Sequence, residues 1–401
     1  MGGLEIAAWE LATAAKRHPE WVGIAISGTP IDPSVNGNRP EHIYISEIGP
    51  NYPEKRRIFE SFRDGFVHPL LYSLASKIED TLNAVIRTGD LLVSFNIFSQ
   101  PFCVPLTIAL RNLSKRREDF VHFTWSWDLA ILDDQYNWNR ADREPWSLYT
   151  TVCENVHYVA CTEPVAAAQA SAFGIDASKI IVIPGAVDPA SCYRLPSHIA
   201  QLCFRKNLFS AFPLVFMPTR LSKRKDIPRA LRVLVQLKKI FPRVHFVISG
   251  SRSPHDPNSY KIGQELMHES IRLGIRQSFT LLSAEDGFDK SISHHDCMAF
   301  ISMCDCLMFS SAKEGFLMPI IEARLHNLPI FVPALDEIMS WAQELIIPYP
   351  IDASPNAIAH ILEAELDTHR FRAKHTVRTR YSWDAIFEKY IGLAYRKRFY
   401  R

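Results

Sequence analysis

The 401-residue chain contains no apolar run of about 20 residues, the length that a membrane-spanning helix requires. Its first residues also lack the basic and apolar pattern of a secretory signal. The formal net charge is only +2, so the composition does not require nucleic acid or an acidic partner. Low-complexity tracts and repeats of about 20–50 residues are absent as well, which excludes solenoids and propellers.

Cysteine is scarce and forms no framework. Eight cysteines spread over 401 residues predict reduced thiols and a cytoplasmic protein. One group of metal-capable residues, His294 to Cys297 with Cys304 and Cys306, lacks a pair of cysteines separated by two residues. Because Cys304 and Cys306 adjoin a strand, along which side chains alternate between faces, we expect no metal site there.

What is present is a pattern of alternating strands and helices. An apolar content of 47% over this length predicts two domains with sizeable cores. The alternation predicts an α/β fold with parallel sheets and helices on both faces. The pattern weakens between residues 189 and 213, so we predict an N-terminal domain over 1–195 and a C-terminal domain over 210–380. The final segment, 383–401, is predicted to be a helix that packs back on the N-terminal domain, with Ser382 as its N-cap.

The beginning of the chain is unusual. Gly2 and Gly3 form a turn that opens a helical pattern, although no strand precedes it. Such a turn normally follows a strand, so the first strand of this Rossmann-like domain is expected to be missing. The alternative is a domain with a genuinely shortened sheet.

The most informative stretch runs over residues 310–333. An apolar strand is followed by the loop Glu314-Gly315-Phe316, a helix that contains Glu322, and a second apolar strand. In open parallel sheets, ligands bind at loops of this kind. Two carboxylates that hold hydroxyls, together with free N–H groups at a helix start, suit a polyol that bears a phosphate. The alternative is a pair of surface glutamates.

A basic loop follows the first strand of the C-terminal domain. Arg220 and Lys225 are separated by five positions, and a guanidinium and an ammonium at this spacing can neutralise a diphosphate. The alternative is a solvated basic loop. Further along, the loop from Ser251 to Tyr260 follows a strand at Gly250; it borders a nucleotide in one interpretation and is a proline-rich turn in the other.

These residues carry a family resemblance. Arg220-x4-Lys225, Glu314-x7-Glu322 and the segment EGFLMPIIEA resemble the donor-site signatures of family 4 glycosyltransferases of the GT-B fold, which has two Rossmann-like domains facing a central cleft. The segment VIPGAVD at 182–188 is similar to the interdomain "IPNGVD" segment of that family, and Gly2-Gly3-Leu4-Glu5 is similar to its "GGxE" loop.

The resemblance implies a retaining glycosyltransferase that needs no metal and no cofactor beyond its donor, a nucleotide diphosphate sugar. Arg220 and Lys225 would hold the diphosphate, and Glu314 the hydroxyls of the sugar. The amides of Gly315 and Phe316 would bind sugar or phosphate oxygens, and Glu322 the ribose. Gly250 and Leu317 complete the expected donor-binding set.

Several positions depart from the family pattern. Leu317 stands where the family usually has glycine, Gly185-Ala186 replaces Asn-Gly, and Trp127 precedes Asp128 where many relatives have histidine. We expect Asp128 in the catalytic set. His122, five residues before Trp127, is expected to be a core or wall residue.

The N-terminal domain is expected to hold the acceptor. Aromatic and polar residues alternate from Trp125 to Trp146, a composition that suits sugar rings; the alternative is that these aromatics pack a long loop onto the sheet. The expected acceptor-side residues are Gly2, Gly3, Asn96, Trp125 and Trp127.

The functional expectation is therefore transfer of a hexose of glucose or mannose type to a hydroxyl acceptor, which is a sugar, a polyol or a lipid-linked molecule. The expected location is the cytoplasm, with peripheral contact at the inner membrane surface. The alternatives are a non-catalytic protein that binds sugar nucleotides and a nucleotide-sugar epimerase on the same fold.

Overall fold

The computed structural model describes residues 3–30, 40–136, 138–251, 258–288, 292–392 and 395. The chain divides into two compact units, Met1–Asp188 with Tyr381–Arg401 and Pro189–Arg380. All eight cysteines are free thiols. Within the described residues, no helix is long and apolar enough to cross a bilayer. Gly2, most of the loop after Ser251 and the end of the predicted C-terminal helix lie outside the described residues.

The described residues of the first unit form two parallel sheets. Strands β1 and β2 pair with each other, and four further strands follow in the order β3-β4-β5-β6. In chain order, its elements up to residue 188 are α1 (Gly3–Ala15), β1 (Ile24–Ser27), β2 (Glu41–Tyr44), α2 (Pro53–Arg63), α3 (Leu71–Val85), β3 (Leu91–Phe95), α4 (Val104–Arg116), β4 (Val121–Ser126), β5 (Val156–Ala160), α5 (Glu163–Phe173) and β6 (Ile181–Val182).

Strand β4 is buried on both faces. Its odd-numbered residues, Val121, Phe123 and Trp125, join a core cluster with α1 and the segment after residue 382. The opposite face is polar and equally buried. There the ring of His122 contacts the hydroxyls of Ser94 and Ser114, with Nε2–Oγ and Nδ1–Oγ distances of 2.9 and 2.8 Å. His122 is therefore a core residue, as the sequence predicted.

The second unit contains one six-stranded parallel sheet in the order β12-β11-β10-β7-β8-β9. Its elements are α6 (Pro189–Cys192), α7 (Ser197–Arg205), β7 (Leu214–Met217), α8 (Ile227–Ile240), β8 (His245–Ile248), α9 (Ser259–Arg272), β9 (Phe279–Leu281), α10 (His294–Met303), β10 (Cys306–Met308), α11 (Met318–Leu325), β11 (Ile330–Pro333), α12 (Asp336–Ala342), β12 (Ile347–Tyr349), α13 (Pro355–Leu366) and α14 (His369–Arg380). The predicted α/β class with parallel sheets is confirmed.

This strand order contains a topological switch point. The first three strands of the unit, β7, β8 and β9, run outward in one direction, and β10, β11 and β12 run outward in the other. Strands β7 and β10 are therefore neighbours, with Cys306 opposite Val215. In doubly wound sheets, a crevice opens beyond the carboxyl ends of such a pair because successive helices cross to opposite faces.

After residue 380 the chain returns to the first unit. The short helix α15 (Trp383–Ile386) begins at Ser382, whose hydroxyl accepts a hydrogen bond from the Ala385 N–H at 3.4 Å, as the predicted N-cap requires. The Trp383 ring is completely buried, and its Nε1–H donates to Glu10 of α1 at 3.0 Å. Residues 382–391 thus complete the core of a unit whose other residues end at 188.

Candidate active site

Two loops meet at the switch point of the second unit. One follows β7 and the other follows β10. The Ser310 hydroxyl lies 2.9 Å from the carbonyl oxygens of both Lys225 and Asp226, and the Ala312 N–H donates to the Arg224 carbonyl at 2.9 Å. These bonds connect the backbone of the first loop to the backbone and to the short, buried Ser310 side chain of the second loop. The two loops therefore hold each other in one arrangement.

The centre of this arrangement is a buried ion pair. Lys225 and Glu314 are only 8% and 5% exposed, and the Lys225 ammonium binds Oε1 of Glu314. The hydroxyl of Ser311 donates to the same oxygen. Oε2 of Glu314 has no partner among the described residues. Glu314 therefore offers one free, well-oriented acceptor to a ligand.

Arg220 lies on the same loop but is exposed. Its backbone forms an isolated parallel bridge with Ser251, and within the described part of the chain its side chain makes no ion pair. The preceding residue, Thr219, is fixed through both its N–H and its carbonyl by the Ser249 hydroxyl, at 2.8 and 2.9 Å. The sequence therefore placed Arg220 and Lys225 correctly on one loop, but only Lys225 is already engaged.

The loop enters α11 through three residues with different roles. The N–H groups of Gly315 and Phe316 donate to no described residue, so both remain available to a ligand. The Phe316 ring stacks on Trp341 with a centroid distance of 4.0 Å. Leu317 is 5% exposed and belongs to the hydrophobic core. Leu317, which the sequence places in the donor-binding set, packs its side chain inward, where it anchors the start of the helix.

Glu322 lies in the second turn of α11 and is half-buried. Its Oε1 is 3.1 Å from Nε2 of His294, the first residue of α10. This contact holds one oxygen of the Glu322 carboxylate against the start of α10. The sequence identifies His294 only as a metal-capable residue, and its spacing from Glu322 does not indicate this contact.

Gly250 follows β8 and has a left-handed backbone with φ of +62°. A Cβ atom there would lie 2.2 Å from Cδ1 of Leu281. The left-handed backbone therefore favours glycine at this position, and a larger residue would have to displace the Leu281 side chain. Close by, a cavity of about 410 Å³ opens at the carboxyl side of the sheet, lined by Leu221, Tyr260, Gly263, Gln264, Met267, His268, Leu281, Ser283, Ala284, Glu285 and Asp286.

In the first unit, Asn96 organises the loop after β4. It has a φ of 56°, and its side-chain oxygen accepts hydrogen bonds from the N–H of Trp127 at 2.7 Å and of Asp128 at 3.4 Å. Its amide nitrogen also donates to the carboxylate of Asp128 at 3.4 Å. Asn96 thus positions the backbone of this loop and the side chain of Asp128. Only 3% of its own surface is exposed.

Trp127 packs its ring against Gly185. A Cβ atom on Gly185 would lie 3.3 Å from Cζ2 of the tryptophan. The two departures from the family pattern, tryptophan for histidine and glycine for asparagine, are therefore in contact: the ring occupies space that a side chain at 185 would need. The Trp127 Nε1–H is buried without a partner among the described residues.

The acceptor-side prediction for Trp125 is wrong on geometric grounds. Trp125 is 1% exposed, and its ring is covered by Phe95 and Trp383 at centroid distances of 5.5 and 5.8 Å. It therefore has no free face for a sugar. Tyr136 and Trp146 are also buried, which favours the alternative in which the aromatics pack this segment onto the sheet. Gly3 begins α1, and a Cβ atom built on it would have no neighbouring atom within 4 Å.

Potential metal ligands are dispersed. Among the residues that the structure describes, no group of three or more histidine, cysteine, aspartate or glutamate side chains lies close enough to hold an ion. Cys304 and Cys306 are completely buried, and burial raises the pKa of the Cys304 thiol to about 12. His294 instead contacts Glu322.

Comparison with known families supports the sequence-based resemblance. Residues 201–375 match the family model of the glycosyl transferases group 1. This segment lies within the second unit and includes both loops of the candidate site. Residues 201–375 are therefore similar to the glycosyl transferases group 1, which supports the resemblance that the sequence motifs predict. No functionally curated protein matches the chain.

Solved structures show only a distant likeness. A glycosyltransferase from Rickettsia africae ESF-5 is 16% identical over 99% of this chain and 95% of its own, with a TM-score of 0.36. Anabaena Alr3699/HepE in complex with UDP is 18% identical over 98% and 96%, also at 0.36. Sucrose-phosphate synthase from Thermosynechococcus elongatus is 16% identical over 97% and 92%, at 0.35. At these scores the likeness supports no argument about function.

Proposed function

We propose, from the similarity of residues 201–375 to the glycosyl transferases group 1, that this protein is a retaining family 4 enzyme. It transfers a hexose of glucose or mannose type from a nucleotide diphosphate sugar to a hydroxyl acceptor. It does so without a metal ion. The second unit binds the donor, and the first unit binds the acceptor.

The observation that supports this proposal most directly is the pair of interlocked loops at the switch point. Lys225 and Glu314 come from different loops and meet there. A carboxylate oxygen and two N–H groups without a partner among the described residues lie on the same two loops, together with an exposed arginine. These are the groups that sugar hydroxyls and a diphosphate require.

We assign different roles to Lys225 and Arg220 on the basis of their charge environments. The Lys225–Glu314 pair is neutral as a whole, so it adds no net charge to attract a diphosphate. The net positive charge of the loop comes from exposed side chains, above all Arg220 with Lys223 and Arg224. An ammonium has three N–H donors, so Lys225 can keep its bond to Glu314 and still bind a phosphate oxygen.

The protein's share of the chemistry is then positioning and charge stabilisation. Glu314 orients the transferred sugar through Oε2, while its other oxygen is saturated. Glu322 binds the ribose hydroxyls, and the cations stabilise the charge that develops on the leaving diphosphate. Following the family resemblance, the leaving phosphate accepts the acceptor proton on the face of attack, so no protein nucleophile is required.

The acceptor side is proposed to involve Asp128 and Trp127, which Asn96 holds in place. Asp128 is exposed, and Trp127 is partly exposed, so both remain accessible within the first unit. We also propose that the enzyme works in the cytoplasm and can meet a lipid-linked acceptor at the inner membrane surface. Sedimentation with vesicles that contain polyprenyl or glycolipid hydroxyls tests this point.

A panel of UDP-, GDP- and ADP-sugars tests the function. Nucleotide release and thermal stabilisation are measured for each donor, with and without EDTA. Turnover that survives EDTA and yields the donor's anomeric configuration supports the full proposal. Stabilisation without any turnover, across a range of hydroxyl acceptors, supports the non-catalytic alternative. Absence of both binding and turnover contradicts the donor-site assignment.

A further inference from the structure

A second polar cavity lies at the amino-terminal ends of the strands of the six-stranded sheet. It has a volume of about 350 Å³ and is formed where β7, β8 and β9 begin. Its polar lining comes from Lys206, Ser210, Arg243, His245, Gln277 and Ser278. The donor loops follow the carboxyl ends of the strands, and a four-residue strand is about 13 Å long, so this cavity is separate from the donor site.

The lining is cationic. Lys206 and Arg243 contribute two positive charges, and every residue that lines the cavity is described, none of them acidic. Lys206 is partly held by Glu285, with an Nζ–Oε1 distance of 2.8 Å, but its ammonium has further donors. Arg243 is exposed and makes no ion pair or hydrogen bond through its side chain with any described residue.

The most specific feature of the cavity is His245. Only 6% of this residue is exposed, and Nε2 of its ring is 2.8 Å from the Thr280 hydroxyl. Nδ1 has no partner within the described part of the chain and remains open to solvent. Burial, with the charges of Lys206 and Arg276, lowers the pKa of His245 to about 4, so the ring is neutral at pH 7.

A neutral imidazole has one donor nitrogen and one acceptor nitrogen. The Thr280 hydroxyl can rotate to donate to Nε2, which leaves Nδ1–H as a donor toward the cavity. A ring donor that is open to solvent and has no protein partner is available to a ligand or to water. An oxyanion would satisfy Nδ1–H and would also pair with the two cations.

We propose that this cavity is a phosphate-binding site in which Lys206, Arg243 and His245 hold a phosphate group, either free or as the ester of a small metabolite. The hydroxyls of Ser210 and Ser278 lie among the lining groups and supply further contacts. The volume exceeds that of a phosphate ion alone, so a small phosphate ester fits as well. This site does not depend on the donor-site assignment.

Calorimetric titration with sodium phosphate, at ionic strength held constant with sodium chloride, tests the proposal. We expect saturable binding to the full chain. Arg243→Gln should weaken it about tenfold or more, because one charge-assisted contact is lost. Arg232→Gln, an exposed arginine on α8, is the matched control and should leave binding unchanged.

Two further measurements separate the alternatives. Arg220→Gln should not alter phosphate affinity at this cavity; if it abolishes binding while Arg243→Gln does not, the phosphate occupies the donor loop and the proposal is overturned. In nitrogen-15 spectra, the Nδ1 resonance of His245 should shift with the same saturation curve. A titration with glucose 6-phosphate distinguishes the sources: tighter binding than inorganic phosphate indicates an ester, and equal binding indicates the free ion. Absence of saturable binding by both ligands contradicts the site.

Discussion

At the residue scale, the structure distinguishes two cations of the candidate site that the sequence can only place on the same loop. Arg220 and Lys225 share a loop and a charge, but Arg220 is exposed with no ion pair to any described residue, while Lys225 is buried against Glu314. They should therefore respond differently to substitution. Removal of an exposed cation changes mainly the affinity for the ligand, whereas removal of a buried cation also changes the free energy of unfolding.

Arg220→Gln should raise the KM for the donor about 10- to 100-fold, because a charge-assisted hydrogen bond to phosphate contributes about 1.5–3 kcal/mol. The free energy of unfolding should stay within about 0.5 kcal/mol of the parent, as for other exposed sites. Arg224→Gln, on the same loop, is the control. Equal losses in both variants would mean that the loop acts as a diffuse charge and that Arg220 has no specific contact.

Lys225→Met should destabilise the second unit by about 3–5 kcal/mol, since it leaves the Glu314 carboxylate buried and unpaired. Adding Glu314→Gln should recover most of this stability, while turnover stays lost in both proteins. Urea unfolding with a double-mutant cycle measures the coupling. Additive free energies would show that the two side chains do not depend on each other.

The pH dependence of the first unit should include a contribution from His122. Burial lowers its pKa to about 3, and a neighbouring His157 adds to this. Because the folded pKa lies below the unfolded value, the contribution to stability is complete above about pH 6.5 and declines as the pH falls toward 3.

Between pH 7 and pH 5 the wild type should lose about 2 kcal/mol through this group alone. His122→Gln keeps hydrogen bonds to Ser94 and Ser114 but cannot be protonated. Urea titrations at the two pH values should give a smaller loss for the variant. An identical loss in both proteins would assign the acid sensitivity to other groups.

How much of the site the sequence could predict depends on how local each signal is. Glu314, Glu322, Arg220 and Lys225 stand in short motifs, so their positions were readable. Ser310, Ser311 and Ser249 were missed because a lone serine in a loop has no periodic pattern. Trp125 was misassigned because β4 is buried on both faces, so alternation along the strand does not distinguish core from surface.

At the element scale, helix α14 is fastened to the sheet by a buried ion pair. Arg378 donates to the Asp305 carboxylate at 2.9 Å and to the carbonyls of Met303 and Ala211 at 3.1 Å. The same carboxylate accepts from the Leu214 N–H at 2.8 Å, so it also fixes the start of β7. One aspartate thus joins a helix to two neighbouring strands.

Arg378→Met should cost about 3–5 kcal/mol of the second unit's stability, toward the lower end, because the fully buried carboxylate of Asp305 then keeps only the Lys374 ammonium at 3.6 Å as a cationic partner. Arg372→Met, on the same helix, removes an exposed pair with Asp367 and should cost less than about 1 kcal/mol. Chemical denaturation followed by circular dichroism measures both. Similar costs for the two arginines would contradict the importance of burial.

The same scale shows where sequence reasoning ends. The helices and strands of the second unit follow from local periodicity, as the apolar spacing of Leu231, Leu234 and Leu237 within helix Ile227–Ile240 illustrates. The strand order does not, because pairing of β7 with β10 joins segments about 90 residues apart. No local pattern specifies which strands become neighbours, although the switch point depends on it.

At the scale of the whole molecule, the first unit is built from two separate stretches of chain. Besides the burial of Trp383, Arg17, two residues after the end of α1, binds both Asp188 and Asp384, at 3.1 and 2.6 Å. The Val187 N–H donates to the Tyr381 carbonyl at 2.9 Å. The point where the chain leaves this unit and the point where it returns are therefore fixed side by side.

Trp383→Ala should destabilise the first unit by about 3–5 kcal/mol, the usual cost of truncating a buried tryptophan. The second unit should be unaffected, so one of two unfolding transitions shifts while the other stays. Differential scanning calorimetry resolves them, and addition of a donor nucleotide should move only the second unit's transition. Tyr381→Ala, whose side chain is 43% exposed, is the control. A shift of both transitions by Trp383→Ala would mean that the units unfold as one.

The return of the chain at Tyr381 has a consequence for biosynthesis. Residues 189–380 leave the ribosome before the segment that covers Trp125 and supplies Trp383 has been made. The second unit can therefore fold while the first still exposes its unfinished core. For about 200 residues of translation, the nascent chain displays Phe95 and Trp125 as apolar surface, so we expect chaperone contacts at this stage to map to the amino-terminal half.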